Sequence, residues 1–187
     1  GLKDYGIENN KKHIITTAIE HKAVLEPTEE LKKIGFEVDV LPVDKSGRVN
    51  SKDIKDKLRK DTLLVSVMSV NNETGIIQPI KEISELIKDH ECYFHVDAAQ
   101  GFGKDIETLK NKRIDLMSIS GHKIYGPKGT GGLYIKKANS QIHLESIIHG
   151  GGQENNIRPG TLAVQNIVGF GKACEICQEN LEDDNRE

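Results

Sequence analysis

The sequence predicts an α/β protein, a three-layer, mainly parallel β-sheet flanked by helices. Short apolar or β-branched runs alternate with amphipathic stretches of helical length, the rhythm expected of parallel strands joined by right-handed crossovers. The run Leu63-Leu64-Val65-Ser66-Val67-Met68 is apolar almost throughout, as a central strand covered on both faces should be. Three predicted strands run out into polar groups, Asn72, Asp97 and Lys123. Open parallel sheets bind ligands at the carboxyl ends of their strands, so convergence of these loops would build a single site.

Taken in order, residues 1–12 are polar and read as a connecting segment or the tail of a helix. His-Ile-Ile-Thr-Thr at 13–17 is a short β-branched strand. A helix follows with Val24, Leu25, Leu31 and Ile34, and Pro27 is expected to mark its start or a kink, because proline costs about 3 kcal/mol in a helix interior. Gly35 ends it, and residues 36–41 alternate apolar with acidic side chains as a half-exposed strand does. Asp44-Lys45-Ser46-Gly47 is a turn, after which Asn50 or Ser51 caps a helix running to about residue 60. Beyond the central strand, Asn71-Asn72-Glu73-Thr74-Gly75 is a polar loop, and Pro79 opens a helix holding Ile80, Ile83, Leu86 and Ile87. Residues 93–97 and 114–119 are further strands. Gly121 gives the chain a sharp turn before Lys123. One more strand at 131–135 and a glycine-rich loop lead into a last helix from about 162 to 181.

The chain has 187 residues and a net charge of −3. That length suits one domain, and the charge gives no electrostatic reason to expect nucleic acid or an anionic membrane as the main partner. No apolar run approaches the roughly 20 residues that span a bilayer, and no signal peptide is visible, so a cytoplasmic location is expected. Three cysteines without framework spacing agree with a reducing compartment.

Several motifs fail on inspection. The Gly126 to Gly132 cluster has Lys128 before Gly129, the wrong order for a phosphate loop. His149-Gly150-Gly151-Gly152 resembles an esterase oxyanion loop, but no Gly-x-Ser-x-Gly elbow accompanies it. Cys174 and Cys177 lack the second pair that a zinc site wants, and they fall in a helix where core packing is the simpler use. His90, Cys92 and His95 alternate across a strand, which disfavours joint ligation, so no metal site is expected. An acid, an amine and an amide at three strand ends remain. Pyridoxal phosphate needs that set: a carboxylate for the pyridinium nitrogen, a lysine for the Schiff base, and hydroxyls, an imidazole and backbone amides for the phosphate.

The strings Glu20-His21-Lys22-Ala23-Val24-Leu25, Val70-Asn71-Asn72-Glu73-Thr74-Gly75, His95-Val96-Asp97-Ala98-Ala99-Gln100 and Ser120-Gly121-His122-Lys123-Ile124-Tyr125-Gly126-Pro127-Lys128-Gly129 resemble those of cysteine desulfurases of the NifS/IscS type, in the class V aminotransferase family. With His149-Gly150-Gly151-Gly152 and Gly160-Thr161, the resemblance covers nearly the whole chain. It implies the large domain of a fold-type I enzyme dependent on pyridoxal 5'-phosphate, with residues 1–187 as its central part. The implied activity converts L-cysteine to L-alanine and passes the sulfur to an enzyme cysteine, then to an iron–sulfur or thiolation acceptor protein.

Residue by residue, the resemblance implies that Lys123 carries the Schiff base and moves the α-proton. His21 would stack on the ring and assist acid–base steps, Asp97 pair with the ring nitrogen, and Gln100 and Asn72 hydrogen-bond the ring hydroxyl and the substrate side. Ser120 and His122 would bind the phosphate. Thr161 would reach the phosphate of a neighbouring subunit, which implies a homodimer. Each has a plainer alternative: a packed or capping histidine at 21, turn braces at 72, 100, 120 and 122, caps at 97 and 161, and a surface lysine in a glycine-rich turn at 123. Members of this family are longer, with a further phosphate loop before this region and a mobile loop bearing the sulfur-accepting cysteine after it. Neither Cys92, Cys174 nor Cys177 matches that cysteine, and Arg158 does not match the substrate arginine. The chain by itself is therefore expected not to complete the reaction. Selenocysteine lyase or another class V lyase or aminotransferase, and a non-catalytic dimerisation module, stand as alternatives.

Overall fold

A computed structural model describes residues 1–137, 142 and 144–184. The described chain follows the order α1 (Lys3–Glu8), β1 (His13–Thr17), α2 (Lys22–Lys32), β2 (Glu37–Leu41), α3 (Ser51–Lys57), β3 (Thr62–Met68), α4 (Ile80–Leu86), β4 (Tyr93–Asp97), α5 (Ile106–Leu109), β5 (Leu116–Ser120), β6 (Gly131–Ile135) and α6 (Val164–Asp184). Short 3₁₀ turns occupy Gly121–Ile124 and Glu154–Asn156. The strands form one sheet in the order β2-β1-β3-β4-β5-β6. The first five run parallel, and β6 returns antiparallel to β5.

The sheet divides its side chains by the two-residue period of a strand. On one face Ile15, Val65, Val67, Phe94 and Val96 are fully buried beneath Ile54, Ile80, Ile83 and Ile87, contributed by α3, α4 and the end of α4. The other face is apolar only at its amino-terminal half, where Ile14, Leu64, Tyr93, Leu116 and Ile135 meet Leu2 and Tyr5 of the amino-terminal segment. Further along the same face the residues are Ser66, His95, Asp97 and Ser118, because Ser66 pairs with His95 and Asp97 with Ser118 in register. Polar side chains are thus concentrated toward the carboxyl ends of the strands, which positions the site.

Most expected elements form close to where the pattern put them, and two local readings change. Helix α2 does not start at Pro27, the first of the two expected alternatives: it is capped by His21 and runs from Lys22 to Lys32 with the proline inside. Only the Ala23 carbonyl loses its intrahelical donor to a proline at 27, and the Thr28 hydroxyl donates to the Leu25 carbonyl at 2.7 Å in the same turn. Gly121 serves its turn through space, with no positive φ. A Cβ there would lie 3.0 Å from the Thr130 carbonyl oxygen and 3.2 Å from the Phe170 ring.

Phe94 is fully buried in the larger core. Phe94→Ala should lose about 3–5 kcal/mol of stability through transfer and cavity costs, read as a lowered urea midpoint at constant slope. A loss below about 1 kcal/mol would mean that the core there collapses around the gap.

Candidate active site

Parallel pairing sets the scaffold. Met68 stands beside Asp97, and Asp97 beside Ser118, so β3, β4 and β5 end on one edge. Backbone bonds continue the pairing past the strands: the Ser69 amide donates to the Asp97 carbonyl at 2.8 Å, and the Ala98 amide to that of Ser118 at 3.0 Å. The loops bearing Asn72, Gln100 and Lys123 therefore leave the sheet at that edge.

Lys123 lies in the 3₁₀ turn directly after β5. The turn is pinned from below: the Gly121 amide donates to the Thr130 carbonyl and the Gly126 amide to the Gly121 carbonyl, both at 3.0 Å. Ile124 is buried, while the Phe170 ring of α6 packs against Gly121. Tyr125, in the left-handed region at φ 62°, closes the turn and is 94% exposed. A rigid support under a half-buried lysine is what holding an amine at a fixed place requires. The Lys123 amine has no hydrogen bond or ion pair among the described residues.

The other side chains separate into braces and uncommitted groups. Asn71 is a brace: its Nδ2 donates to the Ile19 carbonyl, and its Oδ1 accepts from the amides of Glu73 and Thr74 and from the Thr74 hydroxyl. Asn72 next to it is exposed, and its amide group, like that of Gln100, bonds no described residue. Both line one cavity of about 330 Å³ with Val70, Gly75, Ile77 and Asp105. Asp97 is buried; Oδ1 accepts from the Ala99 amide at 3.0 Å, and Oδ2 accepts from no described residue. The Ser120 hydroxyl and His122 Nδ1 lie 3.0 Å apart on the exposed edge.

His21 caps α2. Its Nδ1 accepts from the Ala23 amide at 3.1 Å, which places the proton of a neutral ring on Nε2. The residue is exposed, and Nε2 bonds no described residue. Thr161 stands apart, exposed and without a hydrogen bond among the described residues. The structure thus gathers Asn72 and Gln100 in one cavity and puts Asp97, Ser120, His122 and Lys123 on the same sheet edge outside that cavity's lining. Arg158 donates to the neighbouring Pro159 carbonyl and takes no part.

Two supports escaped the sequence reading. Glu20 is buried, and its Oε1 accepts from the Thr17 hydroxyl at 2.7 Å and from the Met68 amide at 2.8 Å. Its Oε2 has no hydrogen-bond partner among the described residues. That clamp ties the loop before His21 to the end of β3. Burial, with a smaller push from the Asp97 charge, moves the Glu20 carboxyl up to about 7. The second support is His95, whose Nδ1 lies 2.8 Å from the Ser66 hydroxyl and whose Nε2 lies 2.8 Å from that of Ser118. Its position two residues before Asp97 was the available signal, since alternate strand residues share a face.

The model for aminotransferase class V matches residues 3–186. A mitochondrial cysteine desulfurase of Saccharomyces cerevisiae is 49% identical over 177 residues, covering 95% of this chain and 35% of the relative. The crystal structure of DndA from Streptomyces lividans superposes with a TM-score of 0.94 at 49% identity, over 98% of this chain and 52% of that one. SspA in complex with cysteine gives a TM-score of 0.83 at 42% identity, over 93% of this chain and 50% of that one. The chain spans about a third to a half of the length of these proteins.

Glu20 supplies a pH test. Its carboxyl is raised from an ordinary 4.5 to about 7, so the folded state favours the protonated acid. The stability this confers is complete below pH 4.5 and is lost as the pH rises through 7, by roughly 3 kcal/mol at about 1.36 kcal/mol per unit. Glu20→Gln keeps the acceptor and removes the titration. Urea midpoints from pH 4.5 to 8 should fall in the parent and stay flat in the variant; parallel profiles would refute the assignment.

Proposed function

Since this chain belongs to the class V aminotransferase family, we propose that it is the pyridoxal 5'-phosphate-binding core of a cysteine desulfurase. The observation that carries the proposal is the division of labour at the sheet edge. Asn71, His95 and Glu20 Oε1 are spent on the scaffold, while Lys123, Asn72, Gln100 and Asp97 Oδ2 remain uncommitted among the described residues. Uncommitted polar groups on a braced frame are the mark of a ligand site.

The residues present suit that cofactor. Asp97 Oδ2 would accept from the ring nitrogen, Ser120 and His122 would donate to the phosphate, and Asn72 and Gln100 would bond the ring hydroxyl and the amino acid. His21, with Nδ1 occupied by its cap, would present its ring and Nε2–H to the ligand. When bound, the cofactor supplies an electron sink for negative charge developing at the amino acid's α-carbon. Lys123 is the group to hold the cofactor and to move the proton at that carbon.

L-Cysteine is the proposed substrate, supported by the similarity to desulfurases and to a protein solved with cysteine. A homodimer is our reading of the assembly. Thr161 is placed beside exposed apolar residues, Val164 at 63% and Val168 at 65%, which a second copy would cover while bringing Thr161 toward its partner's phosphate. The sulfur acceptor would be a further protein.

Neither Cys92 nor Cys174 is poised to take sulfur. Burial pushes the Cys92 thiol up to about 11 and raises that of Cys174. A thiol so protonated is a poor nucleophile.

Titration of the 187-residue chain with pyridoxal 5'-phosphate should give a yellow protein, and Lys123→Ala should abolish the visible band. A parent that stays colourless would favour the non-catalytic module. Given L-cysteine and a reductant, the loaded chain should release no sulfide beyond a single equivalent. Sustained release would show that one of its own cysteines does accept sulfur.

A further inference from the structure

The layer beneath Asp97 contains a polar chain that the reaction does not use. The Thr16 hydroxyl donates to the Ser66 carbonyl at 3.0 Å. The Ser66 hydroxyl lies 2.8 Å from His95 Nδ1, and His95 Nε2 lies 2.8 Å from the Ser118 hydroxyl. One imidazole therefore bridges β3, β4 and β5, the strands from which the Asn72 loop, Asp97 and the Lys123 turn emerge. Asp97 is two residues past His95 on the same face. Ser118 pairs in register with Asp97 and is two residues before Ser120.

Such a bridge differs in kind from the packing on the opposite face. Contacts among Val65, Val67, Phe94 and Val96 are non-directional and tolerate small slips of one strand past another. Two hydrogen bonds to the two ends of a rigid ring do not, because their strength falls steeply with misalignment. Burial lowers the pKa of His95, against a smaller opposing effect of the Asp97 charge. The ring is accordingly neutral at physiological pH, with one nitrogen donating and the other accepting.

We propose that His95 is a positioning residue for the cofactor site: bolted between Ser66 and Ser118, it fixes the spacing of the strand ends that carry Asp97 and the Lys123 turn. The inference rests on the reading that those residues hold pyridoxal 5'-phosphate. One small rigid molecule would have to meet both Asp97 and Lys123, which are fixed on neighbouring strand ends. A slip of β5 against β4 would spoil one contact or the other.

The test compares three measurements on the 187-residue chain. In the triple variant His95→Leu, Ser66→Ala, Ser118→Ala, donors and acceptors leave together, so no hydroxyl is orphaned and the urea midpoint without cofactor should stay near the parent's. The Kd for pyridoxal 5'-phosphate, followed by visible absorbance, should nevertheless rise about tenfold or more, the range typical of lost supports behind a binding group. His95→Gln, which keeps an amide within reach of Ser118, should recover part of that loss. In the cofactor-free parent, nitrogen NMR should show the His95 ring as a single neutral tautomer.

An affinity in the triple variant within about twofold of the parent's, or a Kd that worsens only in step with the urea midpoint, would overturn the inference. So would a ring averaging between tautomers, since the hydroxyls would then not be holding it. If the triple variant fails to fold, Ser118→Ala alone decides by the same two readouts. A parent that never takes up the cofactor removes the functional reading and the inference together; a parent that does, with an unaffected variant, removes only the inference.

Discussion

Everything at the candidate site hangs from the register of three parallel strands. Each parallel pair must be joined by a crossover, so Asn72, Asp97 and Lys123 come from segments far apart in sequence and meet only because β3, β4 and β5 end together. The backbone enforces this beyond the strands, where Ser69 and Ala98 continue the ladder past Met68 and Asp97. A slip of one residue would turn Asp97 toward the apolar face carrying Val96 and Phe94. Burying an unpaired carboxylate there would cost several kcal/mol, far more than one ladder bond could restore.

The same edge shows how a fold reconciles polar function with burial. Buried polar groups need partners, and the chain meets that need with Asn71, Ser66, His95 and Glu20, leaving their neighbours to face the open edge. Asn71 and Asn72 show this most plainly. The side chain of one braces two loops through Ile19, Glu73 and Thr74 and that of the other bonds no described residue, although sequence alone presents them as equivalent amides.

Legibility in the sequence followed the same divide. Strands and helices were readable because burial imposes a period of 2 or 3.6, and the parallel rhythm implied which ends would share an edge. Pro27 misplaced the start of α2 because an average interior penalty says nothing of a helix held by its cap at His21 and by tertiary packing. Gly121 pointed to the right turn for an incomplete reason, since the crowding by Thr130 and Phe170 comes from residues distant in the chain. The supports at Glu20 and His95 were hidden because a hydrogen bond across strands depends on register, which no local pattern records. The roles proposed for 21, 72, 97 and 123 rest on matching strings; composition and spacing gave only the edge on which 72, 97 and 123 stand.

Glu20 and Asp97 show why two acids can share this edge. Placed in one environment, two carboxylates would compete for one proton with no preference between them. Here Glu20 is sealed in and receives only neutral donors, Thr17 and the Met68 amide, which do not offset its desolvation. Asp97 adds to that pressure from the strand end, where its second oxygen stays available. Near pH 7 the proton accordingly resides in substantial part on Glu20, in the wall. Burial and the Thr17 and Met68 donors thus commit Glu20 to the scaffold, while Asp97 keeps one oxygen without a hydrogen bond among the described residues.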